Sequence, residues 1–288
     1  MSKSARRNFL ILVLITVFAT LQGCASGTGY TSGYRSMEGY KAGGHFYTVY
    51  YVAVVSAEAG IDRDRAKRLT CYAQAPDDVS AYNAVPVSIK NTFYDRDYRH
   101  DVVNSLHSLH GGDTDAVNHR RETLQKLIIR SLKEGPDSDW KTGFMIHALG
   151  DSYAHVHGDF DSPKAFGEGL GHFFASIGGA DPDNVYADEN YKEFDAYVQA
   201  LYAALADPSN PEYEANRKNV ELVVGQIKSN NGKPNKGDKP FIRLLVSLTK
   251  DPILESECSQ LNSQLDDSQV RAFLSKLTTE LFYVEPEA

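Results

Sequence analysis

Apolar residues recur at helical spacing along most of this chain from residue 45 onward. In eight segments the apolar positions return every three or four residues, as on one face of an α-helix, and a ninth, residues 45–59, is apolar and aromatic on more than one face, as in a buried helix. The predicted helices span residues 45–59, 63–75, 101–110, 115–133, 140–157, 190–206, 211–229, 240–249 and 267–283. No pair of alternating segments joined by a hairpin turn stands out. The pattern predicts an all-α, multi-helix bundle over residues 45–288.

The first 23 residues follow a different pattern. Lys3, Arg6 and Arg7 precede an apolar run that starts at Phe9 and ends, after one interruption, at Ala19. This is the layout of an export signal, and the run is shorter than the roughly 20 apolar residues that a membrane-spanning helix needs. We therefore expect residues 1–23 to be a cleaved signal peptide, with an uncleaved anchor as the alternative.

The end of the export signal resembles the lipobox of bacterial lipoproteins, in the segment Leu21-Gln22-Gly23-Cys24. The resemblance implies that Cys24 is the lipidation site and that the protein is anchored to a membrane of the cell envelope. Ala25 stands where inner-membrane retention signals usually have Asp, which favours the outer membrane. From residue 25 to 44, six glycines alternate with tyrosines without apolar periodicity. This composition predicts that residues 24–44 form a flexible tether.

The charge of the chain limits its possible partners. The formal net charge is −8 and becomes −11 once Lys3, Arg6 and Arg7 leave with the signal. Because no excess of positive charge remains to hold a polyanion, the composition gives no support for nucleic-acid binding. An anionic substrate therefore has to be bound by a local group of positive charges. The chain also lacks a phosphate-binding loop of P-loop spacing and a G-x-S-x-G nucleophile elbow.

Cys71 and Cys258 are the only cysteines beyond Cys24. An oxidising compartment permits them to form one disulfide between an early helix and the C-terminal region. Two separate buried thiols are the alternative, and the sequence leaves both open.

The histidines are concentrated in one part of the chain. All nine lie between residues 45 and 172, at positions 45, 100, 107, 110, 119, 147, 155, 157 and 172. Imidazole is a common metal ligand, so such a cluster is a candidate metal site. In the segment His147-Ala-Leu-Gly-Asp151-Ser-Tyr-Ala-His155, helical spacing puts His147, Asp151 and His155 along one stripe. The alternative is a histidine hydrogen-bonded to an aspartate one turn away on a polar face.

His147-Ala-Leu-Gly-Asp151 resembles the HxxGD motif of the zinc-dependent phospholipase C and P1-type nuclease superfamily. These all-helical enzymes hold three zinc ions and hydrolyse phosphodiesters. The resemblance implies that His45 and His172 are zinc ligands and that Asp77 or Asp78, in Gln74-Ala-Pro-Asp77-Asp78, bridges ions or accepts a proton. The segment 91–97 also resembles a phospholipase segment rich in Phe-Tyr-Asp, so the likeness covers about residues 45–183.

This chain departs from the superfamily pattern at several ligand positions. The second histidine of the motif matches His157 in spacing, but the preceding proline is absent, and an uninterrupted helix favours His155 over His157. A histidine that precedes Phe-Tyr-Asp in the phospholipases is Thr92 here. His107 and His110, three residues apart, are the best replacements if both lie on a helix.

Two further departures concern the number of ions and the activity. The glutamate that follows the later histidine is Ser176, for which Asp181 or Asp183 is a candidate substitute. The superfamily also uses its free N-terminus as a ligand, which an acylated Cys24 cannot provide, so we expect one or two tightly bound zinc ions. We predict a lipid-anchored zinc hydrolase acting on phosphodiesters, for example in phospholipids. The alternative is a metal-binding or structural lipoprotein without turnover.

Overall fold

The computed structural model describes residues 45–56, 61–168, 185–186, 189–229 and 255–282. Within these ranges the chain is mostly helical, which confirms the predicted all-α class. The α-helices are α1 (Val49–Val55), α2 (Arg63–Asp78), α3 (Ala84–Asn91), α4 (Arg96–His100), α5 (Thr114–Leu132), α6 (Asp139–Ala154), α7 (Asn190–Leu205), α8 (Tyr213–Ser229), α9 (Glu255–Asn262) and α10 (Asp267–Leu281). A π-helix spans Asp101–Leu106, and a short 3₁₀ turn spans Pro136–Ser138.

Short polar side chains set the starts of several helices. Asp62, Asp113 and Asp266 each accept a hydrogen bond from a backbone N–H in the first turn of the helix that follows. Such N-caps satisfy donors that have no partner inside the helix. The predicted starts at 63, 115 and 267 therefore fall within one residue of the observed ones.

Several predicted helix ends are wrong, and two of these errors affect the candidate site. Helix α6 stops at Ala154 instead of residue 157, because His155 leaves the helical conformation. Val156 and His157 then form strand β1, which pairs antiparallel with β2 (Lys164–Ala165). The predicted helix over 101–110 ends at Leu106, and Ser108 has a positive φ of 52°. His107 and His110 are therefore not neighbours on a helix.

Helix α1 ends at Val55 instead of residue 59, and α2 continues through Pro76 to Asp78 instead of ending at residue 75. The periodicity also does not indicate three short helices. Helices α3, α4 and α9 contain 8, 5 and 8 residues, which is too short for an apolar stripe to repeat clearly. The predicted helix over 240–249 lies outside the described residues. None of the helices in the described ranges is both long and apolar enough to cross a membrane.

Helix α6 is the central element, with every side chain from Thr142 to Ala154 buried. Gly143 lets α2 approach it closely, because a Cβ there would lie 2.4 Å from Cβ of Tyr72 and 2.9 Å from the backbone nitrogen of Ala73. A continuous core surrounds this pair of helices. Helix α6 is therefore buried on all sides from Thr142 onward, as expected for a helix enclosed by others.

Charged side chains hold both ends of α6 in place. At its start, the fully buried Asp139 accepts hydrogen bonds from Nε of Arg65 at 2.8 Å and Nε of Arg68 at 2.9 Å. At its end, the Arg121 guanidinium donates to the Ser152 carbonyl at 2.9 Å, which satisfies an acceptor of the last turn. These contacts fix the axial position of the helix that carries the HxxGD-like segment.

The structure contains a disulfide between Cys71 of α2 and Cys258 of α9. Both cysteines are buried against Phe46, in a small cluster separate from the main core. The bond ties the C-terminal part of the chain to the helix that packs on α6.

Candidate metal centre

His147 and Asp151 lie on consecutive turns of α6 and point into the interior of the protein. The Nε2 atom of His147 is 3.2 Å from Oδ2 of Asp151, and the two residues are 0% and 3% exposed. Burying a carboxylate costs free energy unless the charge is paired, so the other groups around Asp151 determine whether the cluster can bind a cation.

Two further histidines reach Asp151 from distant parts of the chain. His45, just before α1, places Nε2 2.9 Å from Oδ1 of Asp151. His107, which follows the π-helix, places Nδ1 3.1 Å from Oδ2. The structure thus brings together the predicted residues His45, His107, His147 and Asp151, all of them buried.

Gly150 makes room for His45. A Cβ at this position would lie 2.7 Å from Cε1 and 3.0 Å from Nδ1 of His45, and 3.2 Å from Cζ of Tyr197. The first of these separations is shorter than carbon atoms tolerate. The glycine of His147-Ala-Leu-Gly-Asp151 is therefore needed where the His45 ring crosses α6.

Backbone carbonyls fix the orientation of the histidine rings. Nδ1 of His147 lies 2.9 Å from the Ala73 carbonyl oxygen, and Nε2 of His107 lies 3.0 Å from that of Tyr82. A carbonyl oxygen only accepts, so each of these ring nitrogens donates an N–H. Histidines that bind metals commonly hold their second nitrogen in this way.

The remaining ring nitrogens face one another and the carboxylate. In the neutral tautomers, Nε2 of His147 and Nδ1 of His107 carry lone pairs and are 3.2 Å apart. Both also lie 3.1–3.2 Å from Oδ2 of Asp151. Three electron-rich atoms at these separations repel one another unless a proton or a cation lies between them. A tetrahedral zinc ion with bonds of 2.0–2.1 Å requires neighbouring ligand atoms about 3.3 Å apart, so this triangle fits such an ion.

Asp77 adds a second carboxylate at the edge of the cluster. Two sets of three residues offer ligand atoms within 4.8 Å of one another, namely His45 with His147 and Asp151, and Asp77 with His107 and His147. Both sets contain His147, whose Nδ1 is already bonded to the Ala73 carbonyl. Only its Nε2 can coordinate, so the two sets share a ligand atom and fit one ion better than two.

The charges around Asp151 favour its ionised form. Burial by itself raises the pKa of Asp151, but the imidazoles of His155, His147 and His107 outweigh it and hold that pKa well below the usual range. Burial and the neighbouring His147 lower the pKa of His45 despite its bond to Asp151. For His147, burial opposes protonation, yet Asp151 and Asp77 raise its pKa. The buried anion thus attracts positive charge to this point.

Two predicted residues lie next to the cluster. His155, at the end of α6, is 8% exposed, and its Nδ1 is 2.6 Å from the His107 carbonyl and 3.6 Å from Oδ2 of Asp151. It therefore supports the loop that carries His107. Asp78 is exposed, and its carboxylate accepts a hydrogen bond from Gln74 at 3.3 Å.

The other predicted residues do not join these sets. His157 is exposed in β1, where its ring packs against Phe166. His110 accepts a hydrogen bond from the Gly112 backbone through Nδ1, and burial together with Arg120 and Arg121 lowers its pKa to about 3. His172, Asp181 and Asp183 lie outside the described residues, as does Cys24.

Sequence reasoning missed the groups that support the ligands. The carbonyls of Ala73 and Tyr82 orient two histidines, and backbone groups leave no signal in side-chain patterns. Tyr197 of α7 is buried against Gly150, and burial followed by the Asp151 charge raises its pKa. Its position in an apolar stripe gave no hint of this contact.

Comparisons of this chain with models of protein families, with curated proteins and with solved structures find no match.

Proposed function

We propose that this protein is a zinc-dependent hydrolase of phosphodiester bonds, exported and held at the cell envelope by a lipid on Cys24. The triangle formed by His107, His147 and Asp151 carries the proposal, because three electron-rich atoms at 3.1–3.2 Å call for a positive charge. Nitrogen and carboxylate ligands in a tetrahedral arrangement suit zinc. The resemblance of residues 147–151 to the HxxGD motif supports the choice of reaction.

A substrate would approach the ion from the side on which Asp77 lies. It is the one member of the two candidate ligand sets that is only half-buried. A divalent ion held here would polarise a phosphoryl oxygen and make a water molecule more acidic. His107, His147 and Asp151 would hold the ion and leave its fourth position open for water, while His45 bonds to the other carboxylate oxygen of Asp151. The Asp77 carboxylate would orient the attacking water and accept its proton, with the exposed Asp78 beside it as the second candidate for this role.

A net-negative protein can bind a phosphodiester only where positive charge is concentrated, and the ion would supply that charge. The proposed lipid anchor would keep the site close to phospholipids, which contain the required bond. A substrate in the outer membrane or the adjoining periplasm is consistent with the export signal.

A second candidate function is metal binding without turnover. It is favoured by the depth of the cluster, since His45, His107, His147 and Asp151 are 1%, 3%, 0% and 3% exposed. A hydrolytic zinc site needs an open coordination position for water, whereas a structural site is closed by protein ligands. In this case the ion would hold the turn before α1 and the loop after the π-helix against α6.

Metal content and hydrolysis separate these functions. Residues 25–288, purified without chelator, are expected to contain about one zinc ion per chain and to hydrolyse a chromogenic phosphodiester or a phospholipid. His147→Ala is expected to lose the metal, whereas His157→Ala, a change at an exposed histidine, retains it. Asp77→Asn is expected to keep the fold and the metal but to lose at least about 100-fold in activity, the typical contribution of a proton acceptor.

Each outcome supports or rejects one of the two candidate functions. Metal without turnover on either substrate would reject the hydrolase and favour the second function. Protein that neither retains nor takes up zinc, nickel or manganese while correctly folded would reject both.

A further inference from the structure

The described residues expose several large apolar side chains, and half of these lie in one short stretch. Of eight such residues, four fall between positions 85 and 94: Val85, Ile89, Phe93 and Tyr94. Phe93 is 80% exposed and Tyr94 is 90% exposed. Single exposed apolar residues are ordinary, whereas a contiguous group marks a surface that contacts something other than water.

The local structure explains why these side chains point outward together. In α3, Val87 and Asn91 face the core and are buried. Val85 and Ile89 are one turn apart on the opposite face, and Phe93 continues that spacing beyond the end of the helix. We call Val85, Ile89, Phe93 and Tyr94 the apolar ridge.

An open cleft of about 510 Å³ borders the apolar ridge, with Phe93 in its wall. Arg96, Arg99 and His100 of α4 also line the cleft, and none of its lining residues belongs to the metal centre. Arg99 pairs with Glu168 at 2.8 Å, which holds its guanidinium at the rim. Guanidinium groups are well suited to bind phosphate.

The charge around the apolar ridge is opposite in sign to that of the whole chain. Lys90 and Arg96 are exposed beside it. Two nearby acids are each paired with an arginine, since Asp95 bonds to Arg271 at 2.6 Å and Glu168 to Arg99. The remaining acid in the cleft wall is Asp97. The surface around the apolar ridge is thus aromatic and has a small excess of positive charge, from Lys90 and Arg96 against Asp97, on a protein with a net charge of −8.

We propose that the apolar ridge and its cleft dock onto an anionic phospholipid bilayer, with Phe93 and Tyr94 inserted at the interface and Arg96 facing a headgroup phosphate. Aromatic side chains combined with basic residues are the usual composition of a surface that lies in the interfacial region. A second copy of the chain fits less well, because a two-fold interface over the ridge would bring Lys90 and Arg96 close to their own counterparts. The docking requires neither metal nor hydrolysis, so it stands independently of the proposed activity.

Vesicle flotation tests the docking on a chain that has no lipid anchor. Residues 25–288 retain the whole compact unit of residues 37–288. They are expected to float with vesicles that contain one quarter phosphatidylglycerol and to bind pure phosphatidylcholine vesicles far less. Arg96→Ser is expected to lower partitioning about fivefold, the typical effect of one surface cation. Phe93→Ser combined with Tyr94→Ser is expected to lower it tenfold or more, because two aromatic rings lose their burial.

Matched controls come from exposed residues on other helices. Leu222 of α8 is 68% exposed, so Leu222→Ser removes a comparable apolar side chain away from the ridge. The Lys126 side chain of α5 is 75% exposed, so Lys126→Ser removes a comparable cation. Both controls are expected to partition like the unmodified protein, and all variants to unfold at the same temperature.

Three results would overturn the proposal. One is equal flotation of the unmodified protein and the Phe93→Ser, Tyr94→Ser variant. Another is a concentration-dependent dimer in solution that this variant abolishes, which would assign the ridge to self-association. The third is binding of inorganic phosphate by the cleft without any binding to vesicles, which would make it a site for soluble anions.

Discussion

Replacing Gly150 by alanine tests whether the close crossing of His45 over α6 shapes the metal centre. The added Cβ would lie 2.7 Å from Cε1 of His45 and 3.2 Å from Cζ of Tyr197, and both of those side chains are buried. His45 is also held by its bond to Asp151 at 2.9 Å, so its ring can move only by weakening that contact.

The expected cost follows from two opposing effects. Forcing one methyl group into a packed core costs about 1–3 kcal/mol. Alanine favours a helix over glycine by about 1 kcal/mol, which offsets part of this cost. Gly225 of α8 is a matched control, because nothing lies within 4 Å of a Cβ built there. Gly225→Ala is thus expected to gain about 1 kcal/mol, and Gly150→Ala to be about 1–3 kcal/mol less stable than this control.

Urea unfolding of the metal-free proteins measures the free energies of unfolding, and competition with a zinc chelator measures zinc affinity. Gly150→Ala is expected to bind zinc about 10–100-fold more weakly, as when a group that orients a ligand is removed. Gly225→Ala is expected to leave zinc affinity unchanged. If Gly150→Ala gained as much stability as Gly225→Ala and kept full zinc affinity, the close contact with His45 would not shape the metal centre.

Three further predictions concern groups away from the metal centre. Asp139→Ala leaves the buried Arg65 without its carboxylate and is expected to lower the free energy of unfolding by about 3–5 kcal/mol, measured with urea. A decrease below about 1 kcal/mol would contradict this expectation. Cys258→Ser opens the disulfide to Cys71, which spans 187 residues, and is expected to lower the free energy of unfolding by about 2–5 kcal/mol, equal to the effect of reductant on the unmodified protein. The pKa of His110 is about 3 in the folded protein, below its unfolded value of about 6.5, so stability is expected to fall as the pH drops from 6.5 towards 3. His110→Asn, which keeps an acceptor for the backbone, is expected to flatten this part of the pH profile, and an unchanged profile would show that His110 does not cause it.

The sequence by itself determined the helical class and most of the long helices. Helices α2, α5, α7 and α10 each keep one apolar face, and α2, α5 and α10 also begin at a capping aspartate. Both features are local properties of the chain. It also indicated His147 and Asp151 as a pair, because their spacing of four residues alone puts them on one face of α6.

Only the tertiary structure decided which other residues join that pair. His45 and His107 are 106 and 44 residues from Asp151 in sequence. His45 reaches it because α1 packs on α2 and α7, and His107 because the π-helix packs on α6. His110 and His157 belong to the same group of histidines in the sequence, but His110 bonds to the Gly112 backbone and His157 is exposed in β1. The selection depends on where α6 and the π-helix end and on how the chain continues from there, for example in the pairing of β1 with β2. The spacing of apolar residues along the chain does not reflect such contacts. The sequence therefore indicated that histidine and aspartate form the site, but not which histidines take part.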